Sequence, residues 1–377
     1  MELVALARCA SYELQQVRQQ LKQLLAPLGG MTAFVSPGQR VLLKPNLLSA
    51  KPPEAAVTTH PVLVRAVAEL VKQAGGVVLI GDSPGIGSLE RVAEKSGIAA
   101  VARALDAPLV AFQETQRVCG SGVFRQFELS REYLAADVVI NLPKLKTHEM
   151  MTLTCGVKNL YGTVVGAAKA GLHLTAGRSK ELFAGLLLEI AQARTVALTI
   201  VDGICAMEGD GPSSGVSRQL GWLLAGANPV AVDVVAGKLA GIPCELLPVE
   251  QEARRRKLPG ARWEEIELLG EPFEAVEPPF RLPGGLDVQF GLPGVVKDLL
   301  RNQLTPLPAA DRRLCVLCGV CSDACPPRAI TITKNALKID SGRCIRCWCC
   351  RELCPHQALV VRRGLLLRLL GGSEQKD

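Results

Sequence analysis

Two runs of four cysteines constrain this chain more than any other feature. The first is Cys315, Cys318, Cys321 and Cys325, followed by Pro326; the second is Cys344, Cys347, Cys350 and Cys354, followed by Pro355. The second run repeats the first at one constant offset, and Ala329-Ile330 maps onto Ala358-Leu359 with the same offset. Three thiols crowded together, a fourth four residues on and a closing proline form the bacterial spacing that holds 4Fe-4S clusters, the fourth thiolate of each run crossing to the other cluster. The spacing predicts one cluster on Cys315, Cys318, Cys321 and Cys354, and a second on Cys344, Cys347, Cys350 and Cys325. Zinc prefers two well-separated pairs around a tetrahedral ion. Disulfides are disfavoured by the crowding and by the reducing compartment that a chain without a secretory signal implies.

Two copies of one half-module predict a small α+β ferredoxin-like domain over residues 311–361, holding two 4Fe-4S clusters. Cys349 fits neither ligand set and is expected to be a small packed thiol beside Trp348. Trp348 itself is expected to shield a cluster.

Composition narrows the function classes. With 48% hydrophobic and 21% charged residues, the 377-residue chain reads as soluble and globular, long enough for two or three domains. No apolar run approaches the roughly 18 residues of a spanning helix, and Met1 to Tyr12 lacks the basic and apolar regions of a signal peptide. A cytoplasmic protein is expected. The formal charge of +7 counts every cysteine as neutral, so with eight thiolates on iron the holo-protein is only mildly basic. Arg254, Arg255, Arg256 and Lys257 form a basic run with no aromatic interleaving, and aromatics are only 4% of the chain, so no nucleic-acid partner is expected.

Residues 1–270 alternate apolar strands with amphipathic helices, the pattern of an α/β domain with a largely parallel sheet. Strands are predicted at Leu3 to Ala7, Arg40 to Leu43, Val77 to Ile80, Val138 to Leu142 and Val196 to Val201. Helices are predicted at Leu14 to Leu25, from a Thr59 cap and Pro61 to Ala74, and at Pro229 to Leu239. Polar, cationic and glycine-rich residues gather after these strands, where open α/β sheets bind ligands. That edge collects Lys44, Asn46, Asp82, Lys144, Lys146, His148, Asp202, Glu208 and Asp210. Residues 271–310 are rich in proline and read as a linker with one short helix near Val295 to Leu300; residues 362–377 form a basic tail.

The segments Lys44-Pro45-Asn46, Gly81-Asp82-Ser83, Asn141 to His148, Gly156 to Gly162 and Asp202 to Pro212 together resemble the domain-of-unknown-function family numbered 362. Cys344 to Cys350 is similar to the same stretch of its iron-sulfur members, which often have tyrosine where Trp348 stands. The resemblance covers essentially the whole chain and implies its architecture while leaving the reaction open. Asn228 departs from the aspartate more usual there.

Lys44, Lys144, Lys146 and Lys158 near strand ends or glycine turns suit an anionic ligand such as a phosphate or carboxylate. Lys44, Asn46, Asp82, Lys158 and Asn159 are the expected binding residues, and His148, Lys144, Lys146, Asp202 and Glu208 the expected catalytic ones, with His148 as acid or base. A metal held by His148 and His173 with a carboxylate is the competing use of the same residues. The fusion predicts an iron-sulfur oxidoreductase, in which clusters charged by a redox partner protein relay electrons to a small anionic substrate or cofactor. The alternative is a non-catalytic electron-delivery or maturation protein that docks a partner enzyme. Anaerobically purified protein should contain about eight irons with matching sulfide and give, on dithionite reduction, the EPR signal of two interacting cubanes. Zinc in their place contradicts the ligand assignment.

Overall fold

The computed structural model describes residues 1–85, 87–122, 124, 126–166, 168–169, 172, 179–283, 307–325, 327–344, 346 and 348–362. In chain order the strands of its first region are β1 (Glu2–Arg8), β2 (Arg40–Pro45), β3 (Val77–Asp82), β4 (Leu109–Ala111), β5 (Thr115–Cys119), β6 (Gln126–Ser130), β7 (Val138–Leu142), β8 (Lys144–His148), β9 (Thr152–Thr154), β10 (Leu198–Glu208), β11 (Val216–Gly226) and β12 (Ile266–Gly270). Ten of them form one sheet in the order β12-β1-β11-β10-β7-β2-β3-β4, with β8 beside β10 and β9 beside β8; β5 and β6 form a separate hairpin. The run from β10 through β7, β2 and β3 to β4 is parallel, while β11 is antiparallel to both β10 and β1. The fold is therefore α/β with a largely parallel sheet.

Side chains of the central strands alternate between two apolar layers, as the period of two in a strand requires. Val41, Leu43, Val138, Ile140 and Leu142 pack with the helices Leu14–Leu25 and Pro61–Gln73. Leu42 and Val139 face the opposite layer, with the helix Lys180–Gln192. Burial on both faces explains why these strands read as unbroken apolar runs.

Proline positions then shape the strand ends. Pro143 offers no N–H, and there the chain leaves β7 and restarts as β8; the long β10 follows by pairing first with β7 at Leu198 and Thr199, then with β8 at Asp202 and Met207. The Pro61–Gln73 helix is capped by His60, whose Nδ1 accepts from the Val62 N–H at 3.3 Å, and not by Thr59 as the sequence reading expects. The Thr59 hydroxyl is already committed: it accepts from the Asn46 N–H at 2.8 Å and donates to the Leu142 carbonyl at 2.6 Å, tying the ends of β2 and β7 together. Asn228 caps Pro229–Leu239 through Oδ1 while its Nδ2 donates to the Pro259 carbonyl at 2.9 Å, a second bond that aspartate would forfeit.

The C-terminal module pairs β13 (Leu307–Ala310) with β16 (Leu359–Arg362), and β14 (Ile330–Thr333) with β15 (Ala336–Ile339). Its first strand thus begins inside the stretch read as linker. The short helix expected near Val295 to Leu300 and the tail from 363 onward lie outside the described residues. The internal repeat is visible in the backbone: Leu317 and Arg346, Gly319 and Trp348, and Arg328 and Gln357 all take positive φ at matching positions. The helices Val320–Asp323 and Cys349–Glu352 also correspond.

This module sits against the strand-end edge of the sheet. Trp348 is buried in the same apolar layer as Phe183, Leu187 and Tyr161, so its ring anchors the module in the α/β domain. Around it Arg351 contacts Glu149 and reaches Asp210 at 3.0 Å, and Gln357 Nε2 donates to the Ser213 carbonyl at 3.0 Å. Removing a buried tryptophan costs about 3–5 kcal/mol. Trp348→Ala should therefore lower the melting temperature and expose the module to limited proteolysis; an unchanged melt and digestion pattern would show that the anchor is elsewhere.

Candidate functional site at the docked edge

A cavity of about 450 Å³ lies where the module meets the sheet edge. One side comes from the strand ends and following loops: Asn46 after β2, Asp82 and Ser83 at the end of β3, Lys146 and His148 on β8, and Thr154 on β9. Lys158 and Asn159 come from the helix Gly156–Asn159, with Tyr161, Gly162 and Lys169 beyond it. The other side comes from the module: Val320, Asp323 and Ala324 from one half, Cys349, Glu352 and Leu353 from the other.

Burying charge is costly unless it is paired and hydrogen-bonded, and the site residues fall into groups by how this is met. Lys44 is fully buried behind the cavity wall, its Nζ 2.7 Å from Asp82 Oδ1. Asp82 also accepts from the Leu47 N–H at 2.8 Å and the Ser83 N–H at 2.9 Å. Gly162 passes directly over this pair: a Cβ there would stand 2.2 Å from Asp82 Oδ1 and 2.6 Å from Lys44 Nζ. Only glycine permits that approach.

Lys146 is 1% exposed and donates to Asn46 Oδ1 at 2.9 Å and to the Val57 carbonyl at 2.5 Å, with no carboxylate in contact. Burial lowers its pKa to about 7, reinforced by Lys158 nearby. Asn46 is itself held by Asn159, whose Nδ2 donates to the Lys44 carbonyl and to Asn141 Oδ1. Lys169 donates to the Ser83 carbonyl and, at 2.9 Å, to the Ser83 hydroxyl; burial lowers it to about 8.

His148 is buried, and its Nδ1 accepts from the Met150 and Met151 N–H groups, both at 3.1 Å. That leaves the proton on Nε2, 2.8 Å from Glu352 Oε1 of the module. Burial pulls the imidazole below its ordinary pKa, so it rests neutral at pH 7. With Nδ1 committed to the backbone and Nε2 to a carboxylate, His148 has no lone pair for a metal. Among the described residues no group of three or more histidine, cysteine, aspartate or glutamate side chains in the α/β domain has metal-holding geometry; His173, the proposed partner, lies outside them.

The structure separates the remaining sequence candidates from the cavity. Lys144 pairs with Asp202 at 3.0 Å and donates to the Tyr12 hydroxyl at 2.8 Å, and Tyr12 in turn reaches Asp202 at 2.5 Å beneath the stacked His60 ring. Both Asp202 oxygens, the Lys144 ammonium and the Tyr12 hydroxyl find partners within this cluster, so Lys144 and Asp202 brace β8 against β10. Glu208 binds Arg218 at 2.9 Å and Arg281 at 2.8 Å, and Asp210 binds Arg351. The three arginines of the basic run are paired as well, Arg254 with Glu250, Arg255 with Glu252 and Arg256 with Glu189. Missed by the sequence reading are Thr154, Tyr161, Lys169, Asp323, Glu352 and Leu353. Lys169 follows a glycine turn and had a faint signal; the module's wall had none.

In the module Cys315, Cys318, Cys321 and Cys354, the set expected for the first cluster, line one small cavity closed by Val316, Leu337, Ala358 and Leu359. Four converging thiols in an apolar shell match the donor chemistry of a cubane. Backbone N–H groups reach the last cysteine of each run, Ala329 to Cys325 Sγ and Ala358 to Cys354 Sγ, each at 3.2 Å, at matching positions of the repeat. Of the second set Cys344 and Cys350 are buried and Cys325 half-buried, and Cys347 lies outside the described residues.

The lowered lysines carry a pH signature. Between about 7 and the ordinary 10.5, unfolded Lys146 holds a proton that the folded side chain has lost, so stability rises with pH across that window. Lys146→Met should flatten the rise in denaturation midpoint from pH 7 to pH 10; a variant whose profile parallels the wild type would place the titration elsewhere.

Comparison with known proteins agrees with this two-part construction. The family model described as domain of unknown function (DUF362) matches residues 41–238, and that of the 4Fe-4S dicluster domain matches residues 307–355. A thylakoid-associated protein of Synechocystis sp. is 42% identical over 300 residues, which is 79% of this chain and 94% of that protein. Among solved structures, the lactate racemase apoprotein from Thermoanaerobacterium thermosaccharolyticum is similar at a TM-score of 0.43 and 12% identity, over 64% of this chain and 58% of that one. No helix of the described residues is long and apolar enough to cross a membrane. With a family model over more than half its length, the chain belongs to the DUF362 family and carries a C-terminal, ferredoxin-type 4Fe-4S domain.

Proposed function

We propose that this protein is an iron-sulfur oxidoreductase that reduces a small anionic ligand held between the sheet edge and the cluster module. The observation that carries the reading is the composition of the cavity wall: Ala324, Cys349 and Leu353 line it, and each is the immediate sequence neighbour of an expected cluster ligand, Cys325, Cys350 or Cys354. A ligand in the cavity is therefore one residue removed from both halves of the module.

On this reading Cys315, Cys318, Cys321 and Cys354 hold one 4Fe-4S cluster, and Cys344, Cys347, Cys350 and Cys325 the other. Bound there, the two clusters supply one electron each, replenished by a reduced redox partner protein. Lys44, Asp82, Asn46 and Asn159 fix the floor of the site. Lys146 carries the proton, because its pKa of about 7 lets it give one up near neutrality and recover it from water. His148 is a positioning residue that holds the Glu352 carboxylate, and with it the module wall, over the cavity. Lys144, Asp202 and Glu208 serve the frame that supports these groups. The thylakoid association named for the Synechocystis relative fits a chain that works in water beside a membrane and meets its donor there.

Stopped-flow mixing of dithionite-reduced, excess-free protein with a panel of small anionic metabolites tests this. At least one compound should restore the bleached cluster absorbance near 400 nm, and Lys146→Met should slow that step at least tenfold while leaving iron content intact. Reoxidation by no compound, or at equal rate in the variant, would move the protein to the class of electron carriers that dock a partner enzyme.

A further inference from the structure

Most polar groups around the cavity are already satisfied by the protein: Lys44 by Asp82, Lys146 by Asn46 and Val57, and Lys169 by Ser83. Two are not. The Thr154 hydroxyl lines the cavity, is 3% exposed, and has no hydrogen-bond partner among the described residues. Lys158 also lines the cavity and makes no hydrogen bond or ion pair among the described residues; its Nζ stands over the Tyr161 and Phe183 rings at 5.2 and 5.8 Å from their centroids. A buried hydroxyl without a partner destabilises a fold, and an ammonium over aromatic faces gains less than it would from an anion. Both groups stand four residues apart on one wall, Thr154 ending β9 and Lys158 in the helix that follows.

We infer that Thr154 and Lys158 together bind the carboxylate of a monocarboxylic acid with an apolar body, which rests on the reading of the cavity as a ligand site and names its substrate class. Two donors suit the two oxygens of a carboxylate. A phosphate dianion offers three oxygens and a second charge, which two donors leave unmatched in a cavity that also holds the carboxylates of Asp323 and Glu352, the latter close enough to Lys158 to act on its charge. Leu47, Leu48, Tyr161, Val320, Ala324 and Leu353 give the wall an apolar part that calls for a hydrocarbon body. The carboxylate end lies at the α/β domain, which directs the far end of the molecule toward the module.

Isothermal titration of the reconstituted, oxidised protein with 3-phenylpropanoate, 3-phenylpropyl phosphate and 3-phenylpropan-1-ol tests the assignment without turnover. The carboxylate should bind one to one and more tightly than either analogue. Thr154→Val, which keeps the shape and removes only the unpartnered hydroxyl, should weaken it roughly tenfold, and Lys158→Met roughly 10- to 100-fold. Thr154→Val should at the same time melt no lower than the wild type, which keeps the result readable if Lys158→Met folds poorly. Tighter binding of the phosphate, carboxylate binding untouched by Thr154→Val, or no binding of any probe overturns the inference. Binding of 3-phenylpropanoate as expected, with no compound of the anionic panel reoxidising the reduced clusters, would overturn the oxidoreductase reading alone.

Discussion

Five lysine ammonium groups stand buried or nearly so at one edge of a parallel sheet, and the structure is arranged around the cost of keeping them there. Charge in a low-dielectric interior survives only with a partner or by giving up its proton. Lys44 and Lys144 have carboxylates, at 2.7 and 3.0 Å. Lys146 and Lys169 have only neutral acceptors and are pulled toward neutrality, to about 7 and 8. Lys158 makes no hydrogen bond or ion pair among the described residues; burial lowers its pKa, opposed by the Glu352 carboxylate, and its Nζ rests over the Tyr161 and Phe183 rings. This gradation separates frame from site: fully paired lysines hold strands together, while partly satisfied ones border the cavity.

The second consequence is architectural. A cavity floored by such groups needs a cover that excludes water, and the C-terminal module supplies it. Trp348 enters the α/β core, Arg351 meets Glu149 and Asp210, and Glu352 meets His148. Expected cluster ligands and docking residues share one short segment, Cys350 and Cys354 with Arg351 and Glu352 between them.

How much of this the sequence disclosed follows from the range of each interaction. The cysteine runs are legible because ligand spacing is local, and the helices Leu14–Leu25 and Pro229–Leu239 and the strand Val138–Leu142 are read to their observed ends because periodicity and prolines mark them. Thr59 misled because its hydroxyl bonds Asn46 and Leu142 across the sheet, a demand that no local pattern reports. Lys144, Lys146 and His148 share a face of β8, yet a strand rises about 3.3 Å per residue, so Lys144 is about 13 Å along from His148 and falls among Tyr12 and Asp202 instead of in the cavity. Glu352, Leu353 and Asp323 were invisible as site residues because only docking brings the module onto the edge.

If ligand cavity and clusters form one unit, EPR of the dithionite-reduced protein titrated with a cavity ligand that is itself not reducible, such as 3-phenylpropanoate, registers the binding. The cluster spectrum should change saturably, and the change should be lost when Leu353→Trp fills the cavity from the module side. Spectra that stay identical while calorimetry shows the ligand bound would contradict it, and would leave the module as a cover whose clusters serve some other partner.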